Sequence, residues 1–182
     1  GLPPEENHTI WGTMISAQLL EIMQQAQLPV DFVWCSYEAA TCWAVISVDP
    51  AQLSLLNTNA ADFAKRISEV VFSSHPGYLI PKLIIVSNDI DITDIKQVTW
   101  ALATRSHPQH DHFTFPSIKE FPMVPYLTSE DKKRGCGGKV IISCLFPEQF
   151  KGKQRAGTAC FQHSYPENIR NKVLENWESY GY

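Results

Sequence analysis

Apolar side chains recur along this chain in two rhythms. From Thr9 to Gln27 they fall at Trp11, Met14, Ile15, Leu19, Ile22, Met23 and Ala26, the spacing of a helix with one apolar face, and Leu28-Pro29 stops it. Val30 to Tyr37 and Thr41 to Val48 instead read as strands. Trp34, Trp43, Val45, Ile46 and Val48 favour pleated structure, and the short Glu38-Ala39-Ala40 connection predicts an antiparallel hairpin. Asp49-Pro50 closes the second strand, and Leu53 to Thr58 is irregular or a short helix. Asn59 is the expected N-cap of a helix from Ala60 to about Ser73, with Phe63, Ile67, Val70 and Val71 on one face and His75-Pro76-Gly77 as its stop.

The stretch from Gly77 to Arg105 organises the rest. Leu83 to Val86 is an unbroken, β-branched apolar run, the mark of a strand covered on both faces. Ser87-Asn88-Asp89 breaks it. Thr93 or Asp91 is the expected cap of the following helix, with Asp94 in its first turn; Ile95, Val98, Trp100, Leu102 and Ala103 supply its apolar positions, and Arg105 its C-terminal cation. Prolines at 108, 116, 122 and 125 predict a long ordered loop over Ser106 to Leu127. Lys132 to Gly138 reads as a basic, glycine-rich loop, Lys139 to Leu145 as a strand, and Gly152 to Gly157 as loop. Pro166 suits the first turn of a terminal amphipathic helix over 166–180, striped by Ile169, Val173, Leu174 and Trp177. A hairpin, a buried strand and intervening helices make an α/β fold: a single domain with a mixed sheet of hairpin plus parallel strand, flanked by helices.

Composition narrows the function classes. The 182 residues suffice for one core, and 44% hydrophobic against 19% charged residues marks a globular chain. A net charge of −4 with no basic stripe argues against nucleic acid as a partner. No apolar run approaches a membrane span, and no signal peptide opens the chain, so the expected location is the cytoplasm. Five cysteines, odd in number and without CxxC spacing, suggest reduced thiols rather than a disulfide framework or zinc site. The Pro-rich, acidic start (1–8) looks like a linker.

Three polar clusters invite chemistry, and each has a plainer reading. His107, His110, Asp111 and His112 match no metal-ligand spacing and read better as a solvated loop, so no metal site is expected. Gly135-Cys136-Gly137-Gly138 after Lys132, Lys133 and Arg134 lacks the trailing Lys-Ser or Lys-Thr of a phosphate loop. Asn88, Asp89, Asp91 and Asp94 lie at the carboxyl end of a central strand, where open α/β sheets bind ligands, yet helix capping accounts for them.

Several blocks, in order and across nearly the whole chain, carry a family resemblance. They are Glu6-Asn7-His8-Thr9, Phe63-Ala64-Lys65-Arg66, Gly77-Tyr78, Asn88-Asp89-Ile90-Asp91, Trp100-Ala101 with Thr104-Arg105, and Phe121-Pro122 with Pro125-Tyr126. Gly137-Gly138-Lys139-Val140, Ser164-Tyr165-Pro166-Glu167 and Lys172-Val173-Leu174 with Asn176-Trp177 complete the set. Together they resemble the C-terminal domain of the UbiD family of prenylated-FMN-dependent decarboxylases, with the fungal ferulic or cinnamic acid decarboxylases as the nearest branch.

The resemblance implies a homodimer whose last helix reaches the partner. It also implies that the family's Glu-Arg-Glu network, metal ligands and most flavin contacts lie in a preceding flavin-binding domain. No cofactor is therefore expected in this chain alone, and prenylated FMN only if that domain is supplied. Phe121 and Met123 match apolar positions of the substrate pocket, and Trp11 falls where a smaller aliphatic lines it. His75 falls where relatives place a lysine near the flavin phosphate. The expected substrate-binding wall is Trp11, Leu83, Phe121 and Met123, with His75 the candidate acid or base. The expected function is a stand-alone, truncated UbiD-like protein that binds a small apolar unsaturated or aromatic molecule and runs a cofactor-free lyase, isomerase or cyclase step of fungal secondary metabolism. The alternatives are a fragment of a complete decarboxylase, and a non-enzymatic dimerisation or partner-binding module that docks on a separate flavin-binding subunit.

Overall fold

The computed structural model describes residues 6–152 and 161–181, and the chain divides into two compact units, 1–152 and 153–182. The first unit is built on a five-stranded mixed sheet in the order β1-β2-β3-β5-β4. Its strands are β1 (Val30–Trp34), β2 (Trp43–Val48), β3 (Lys82–Ser87), β4 (His112–Lys119) and β5 (Cys136–Ser143). β1 and β2 pair antiparallel, as the hairpin pattern requires; β2, β3 and β5 run parallel, and β4 pairs antiparallel with β5 at the edge.

Both faces of the central strands are covered, and side chains alternate between two cores. Ala44, Ile46 and Val48 of β2 join Leu83 and Ile85 of β3 in the larger core, with Ile15, Leu19 and Met23 of α1 (Glu6–Gln25) and Phe63, Ile67 and Val71 of α3 (Ala60–Val71). Val45, Ile84 and Val86 face the opposite way, onto Val98 and Ala101 of α5 (Ile95–Arg105). This period of two is why Leu83–Val86 reads as an uninterrupted apolar run.

Caps set most helix starts. Asp49 caps α2 (Pro50–Leu55), so the segment after the second strand is helical three residues earlier than its apolar residues suggest. Asn59 caps α3 as expected, accepting from the Asp62 amide at 3.0 Å. The next turn corrects an expectation: His75-Pro76-Gly77 opens α4 (His75–Leu79), capped by Ser74, after α3 has already ended. The cap of α5 is Asp94, whose Oδ1 accepts from the Lys96 amide at 2.9 Å, rather than Thr93 or Asp91. Asp91 instead folds back on Thr93, accepting from its amide and its hydroxyl.

Two further corrections concern the region after α5. The stretch read as loop over 106–127 contains β4, with Phe113, Phe115 and Ile118 half-buried. Pro116 is tolerated because β4 is an edge strand and the register shifts there, with Ser117 at φ 59°. The basic run before Gly135 is α6 (Ser129–Arg134), closed by Thr128 and Asp131 in a reciprocal cap and ended by Gly135 at φ 66°.

The second unit contains α7 (Phe161–Ser164) and α8 (Glu167–Glu175), with Pro166 at the N-cap of α8. The expected helix over 166–180 therefore stops at Glu175, followed by a single 3-10 turn over 178–180. Of the linker-like start and the loop over 152–157, residues 1–5 and 153–157 lie outside the described residues, as does Cys160, while Glu6 and Asn7 already belong to α1. No helix is long and apolar enough to cross a membrane among the described residues.

Candidate active-site wall

The N-terminal ends of β2, β3 and β5 share one edge of the sheet, and three separate segments converge on it. The first is α1. Its Ser16 hydroxyl accepts from the Cys35 amide at 2.9 Å and donates to the Gly12 carbonyl at 2.6 Å, which fastens the helix beside the end of β1. The second is α4, which leads directly into β3. Gly77 lies so close to α3 that a Cβ there would come 1.8 Å from the Val71 carbonyl oxygen, so only glycine fits. The third is the loop after β4, Glu120 to Leu127.

A buried ammonium ties the second segment to the sheet. Lys139 is 1% exposed, and its Nζ donates to the carbonyls of Gly77 (2.7 Å), Tyr78 (3.2 Å) and Ile80 (3.1 Å). Three donors meet three acceptors, the full capacity of an ammonium. Burial pulls the Lys139 pKa down to about 8, against the charge of the nearby Glu120 carboxylate, which raises it. At neutral pH the group is therefore still charged.

Glu120, also 1% exposed, anchors the third segment. Its Oε1 accepts from the Tyr126 hydroxyl at 2.9 Å, and its amide donates to the Gly135 carbonyl at 3.3 Å. Burial first, and then the hydrogen bond to Glu120, push the Tyr126 phenol well above its ordinary range. Cys42, half-buried at the same edge, is raised by burial, with Lys82 lowering it and Glu120 adding to the rise, so its thiol is protonated and a poor nucleophile. Aromatic contacts join the segments: Phe121 meets Tyr78 edge-on with centroids 5.9 Å apart, Lys119 Nζ lies 5.5 Å from the Tyr78 ring centre, and Lys82 Nζ lies 5.0 Å from that of Tyr126.

The sequence profile of the 3-octaprenyl-4-hydroxybenzoate carboxy-lyase C-terminal domain matches residues 8–144. The chain belongs to the UbiD family. Its whole length is 65% identical to 37% of a pyrrole-2-carboxylic acid decarboxylase of Pseudomonas aeruginosa. It is 32% identical to 36% of ferulic acid decarboxylase 1 of Saccharomyces cerevisiae. The chain thus spans little more than a third of the length of these relatives. The fold is also that of Sedimentibacter hydroxybenzoicus vanillic acid decarboxylase in its closed form, with a TM-score of 0.74 at 20% identity over 98% of this chain and 34% of that one. The fungal placement expected from the sequence is not what these figures favour, since identity to the bacterial relative is twice that to the yeast one.

Within this UbiD-family domain the five expected site residues are distributed unevenly. Trp11 is 53% exposed on α1, and Met123 is 77% exposed at the tip of the third segment. His75 is exposed in the first turn of α4, and Phe121 is half-buried against Tyr78. Leu83 departs from the expectation: it is 0% exposed in the larger core and offers a ligand no surface. Two shallow concavities, lined by residues 27–31 with 52, 55 and 56 and by Pro116, Ser117, Tyr126, Leu127 and residues around Gly137, contain none of the five.

Sequence reasoning did not single out Glu120, and it took Tyr126 and Lys139 only as members of family-resembling blocks, without a role. An acid between Lys119 and an aromatic, proline-rich run, and a lysine inside a strand pattern, were the available signals. The polar end of the sheet that reasoning did single out is structural. Arg105, 6% exposed, pairs with Asp89 through bonds of 2.9 and 2.6 Å, and Asp91 and Asp94 serve turns. His107 stacks on His110 at 4.6 Å, and among the described residues no group of three or more His, Cys, Asp or Glu could hold a metal ion.

Proposed function

We propose that this chain is the C-terminal part of a UbiD-type decarboxylase for a small planar heteroaromatic acid of the pyrrole-2-carboxylate type. In this reading it supplies one wall of the site. The observation that carries it is 65% identity over the whole chain to a pyrrole-2-carboxylic acid decarboxylase. The apolar side chains on the converging segments support it: Trp11 and Met123 are exposed, Phe121 is half-buried, the two aromatics offer rings for stacking, and His75 stands exposed on α4 as the candidate proton carrier. The flavin cradle and the carboxylate-arginine chemistry belong to the flavin-binding portion. Lys139, a buried cation at this edge, is bonded to backbone carbonyls and does not reach for a phosphate. The cofactor-free isomerase or cyclase step expected from the sequence gains no support from the Pseudomonas and yeast relatives, whose names are those of decarboxylases.

The test is complementation. The chain is co-expressed with the flavin-binding portion of the Pseudomonas aeruginosa relative and a flavin prenyltransferase, and carbon dioxide release is followed from pyrrole-2-carboxylate and from ferulate. The expected result is turnover of the pyrrole acid in preference to ferulate. A flavin-loaded assembly that leaves both acids untouched overturns the reading.

A further inference from the structure

We infer that Glu120 is a positioning residue: its hydrogen bond from Tyr126 closes residues 120–126 into a clasp that sets Phe121 and Met123 at the sheet edge. The functional consequence rests on the decarboxylase reading above; the clasp itself does not.

The argument starts from an unfavourable residue choice. A carboxyl 1% exposed is destabilising unless its oxygens are matched. Only Oε1 is matched by a hydrogen bond, from Tyr126; Oε2 is buried with no hydrogen-bond partner among the described residues. It faces Gly137, where a Cβ would stand 2.1 Å from it, so the strand below has been cleared to admit the group. Packing alone would be better served by Leu or Met. What a carboxyl adds is an acceptor for the Tyr126 hydroxyl, beside a negative charge near Lys139.

The segment between the two residues is shaped to be held this way. Pro122 and Pro125 limit its backbone. Turns from Val124 N to the Phe121 carbonyl (3.1 Å) and from Leu127 N to the Val124 carbonyl (3.3 Å) fold it, and Val124, 4% exposed, points inward while Met123 projects. Phe121 then meets Tyr78, whose own carbonyl is fixed by Lys139. Tyr126 contributes a ring under Lys82 and a hydroxyl to Glu120, so the far end of the clasp is pinned on two sides.

Hydrogen exchange read by mass spectrometry decides the matter on the full chain, comparing wild type with Y126F, E120A and E120Q. Y126F should raise exchange across 121–127 by about tenfold, the scale of one lost hydrogen bond, with β3 unchanged. E120A should do the same. E120Q keeps an acceptor and should stay near wild type. Unchanged exchange over 121–127 in Y126F overturns the proposal, and so does loosening spread evenly over the sheet. Should E120A fail to fold, Y126F still decides, because it removes one hydroxyl from a half-exposed ring. In the flavin-loaded assembly described above, Y126F should raise KM for pyrrole-2-carboxylate more than it lowers kcat. Turnover with an unchanged KM removes the link between clasp and wall. A wild-type assembly without turnover counts against the decarboxylase reading, and the exchange result still stands on its own.

Discussion

Single residues at the sheet edge carry constraints that their sequence neighbours do not announce. Gly137 lies in a glycine-rich run that reads as a flexible loop, yet it is part of β5. A methyl there would stand 2.1 Å from Glu120 Oε2 and 2.7 Å from Leu127 Cδ2. G137A should therefore destabilise the domain by about 1–3 kcal/mol, the usual range for overpacking, while G138A, with nothing within 4 Å of its added carbon, should be close to neutral. Urea midpoints of the two variants check this. Lys139 makes a second prediction. Its pKa is 10.5 when unfolded and about 8 when folded, so between those values the unfolded chain binds more protons and folding strengthens as pH rises. A shift of this size is worth about 3 kcal/mol at most. K139M lacks that gain, so the stability of wild type relative to K139M should rise from pH 7.5 to pH 10, measured by urea unfolding at each pH. Both residues stand in a block that carries the family resemblance, yet the role of neither was legible in sequence. Burial of a lysine or a glutamate depends on which carbonyls and hydroxyls the fold brings to it, and those partners lie far away in the chain.

At the level of elements, the hydrophobic pattern located the longer helices and four of the five strands but not α4, β4, α6 or α7, and the errors cluster where local chemistry offers two answers. The acidic run after β3 holds several possible caps, and pattern alone selects Thr93 or Asp91. The structure uses Asp94 because Asp91 is already engaged with Thr93. D94A should therefore cost about 1 kcal/mol, in the range for a lost N-cap, and D91A less, as read by thermal unfolding. The strand β4 was missed for a related reason. Four prolines between Ser106 and Leu127 suggest irregular chain, but an edge strand with a bulge accommodates Pro116, and Phe113 and Phe115 kept the alternation that could have revealed it. The Arg105–Asp89 pair shows the opposite case. Arg105 ends α5 as the expected helix-terminal cation and is in addition buried beside Trp100 and Phe146, with Asp89 and Ser87 as hydrogen-bond partners. Burial by itself would raise the Asp89 carboxyl, but the bonds from Arg105 and Ser87 bring it below the usual carboxylate range. Its contribution is thus present above the unfolded carboxylate pKa and lost as pH falls through the lower folded value.

For the whole molecule, the sheet order and the two cores follow from the alternation in β2 and β3, whereas the state of assembly has to be argued from surface. A helix of nine residues such as α8 does not hold itself together in water, so its apolar side chains need cover. Ile169 and Leu174 are nevertheless 44% and 58% exposed. The resemblance read from the sequence assigns that cover to a second copy. The expected outcome is a dimer of the isolated chain by light scattering, shifted towards monomer by I169D or L174D, with far-ultraviolet circular dichroism of the sheet unit retained. A monomeric wild type would leave α8 to the flavin-binding portion instead. In that case the same two substitutions should weaken complementation, and the interface would be one between unlike parts of a single enzyme.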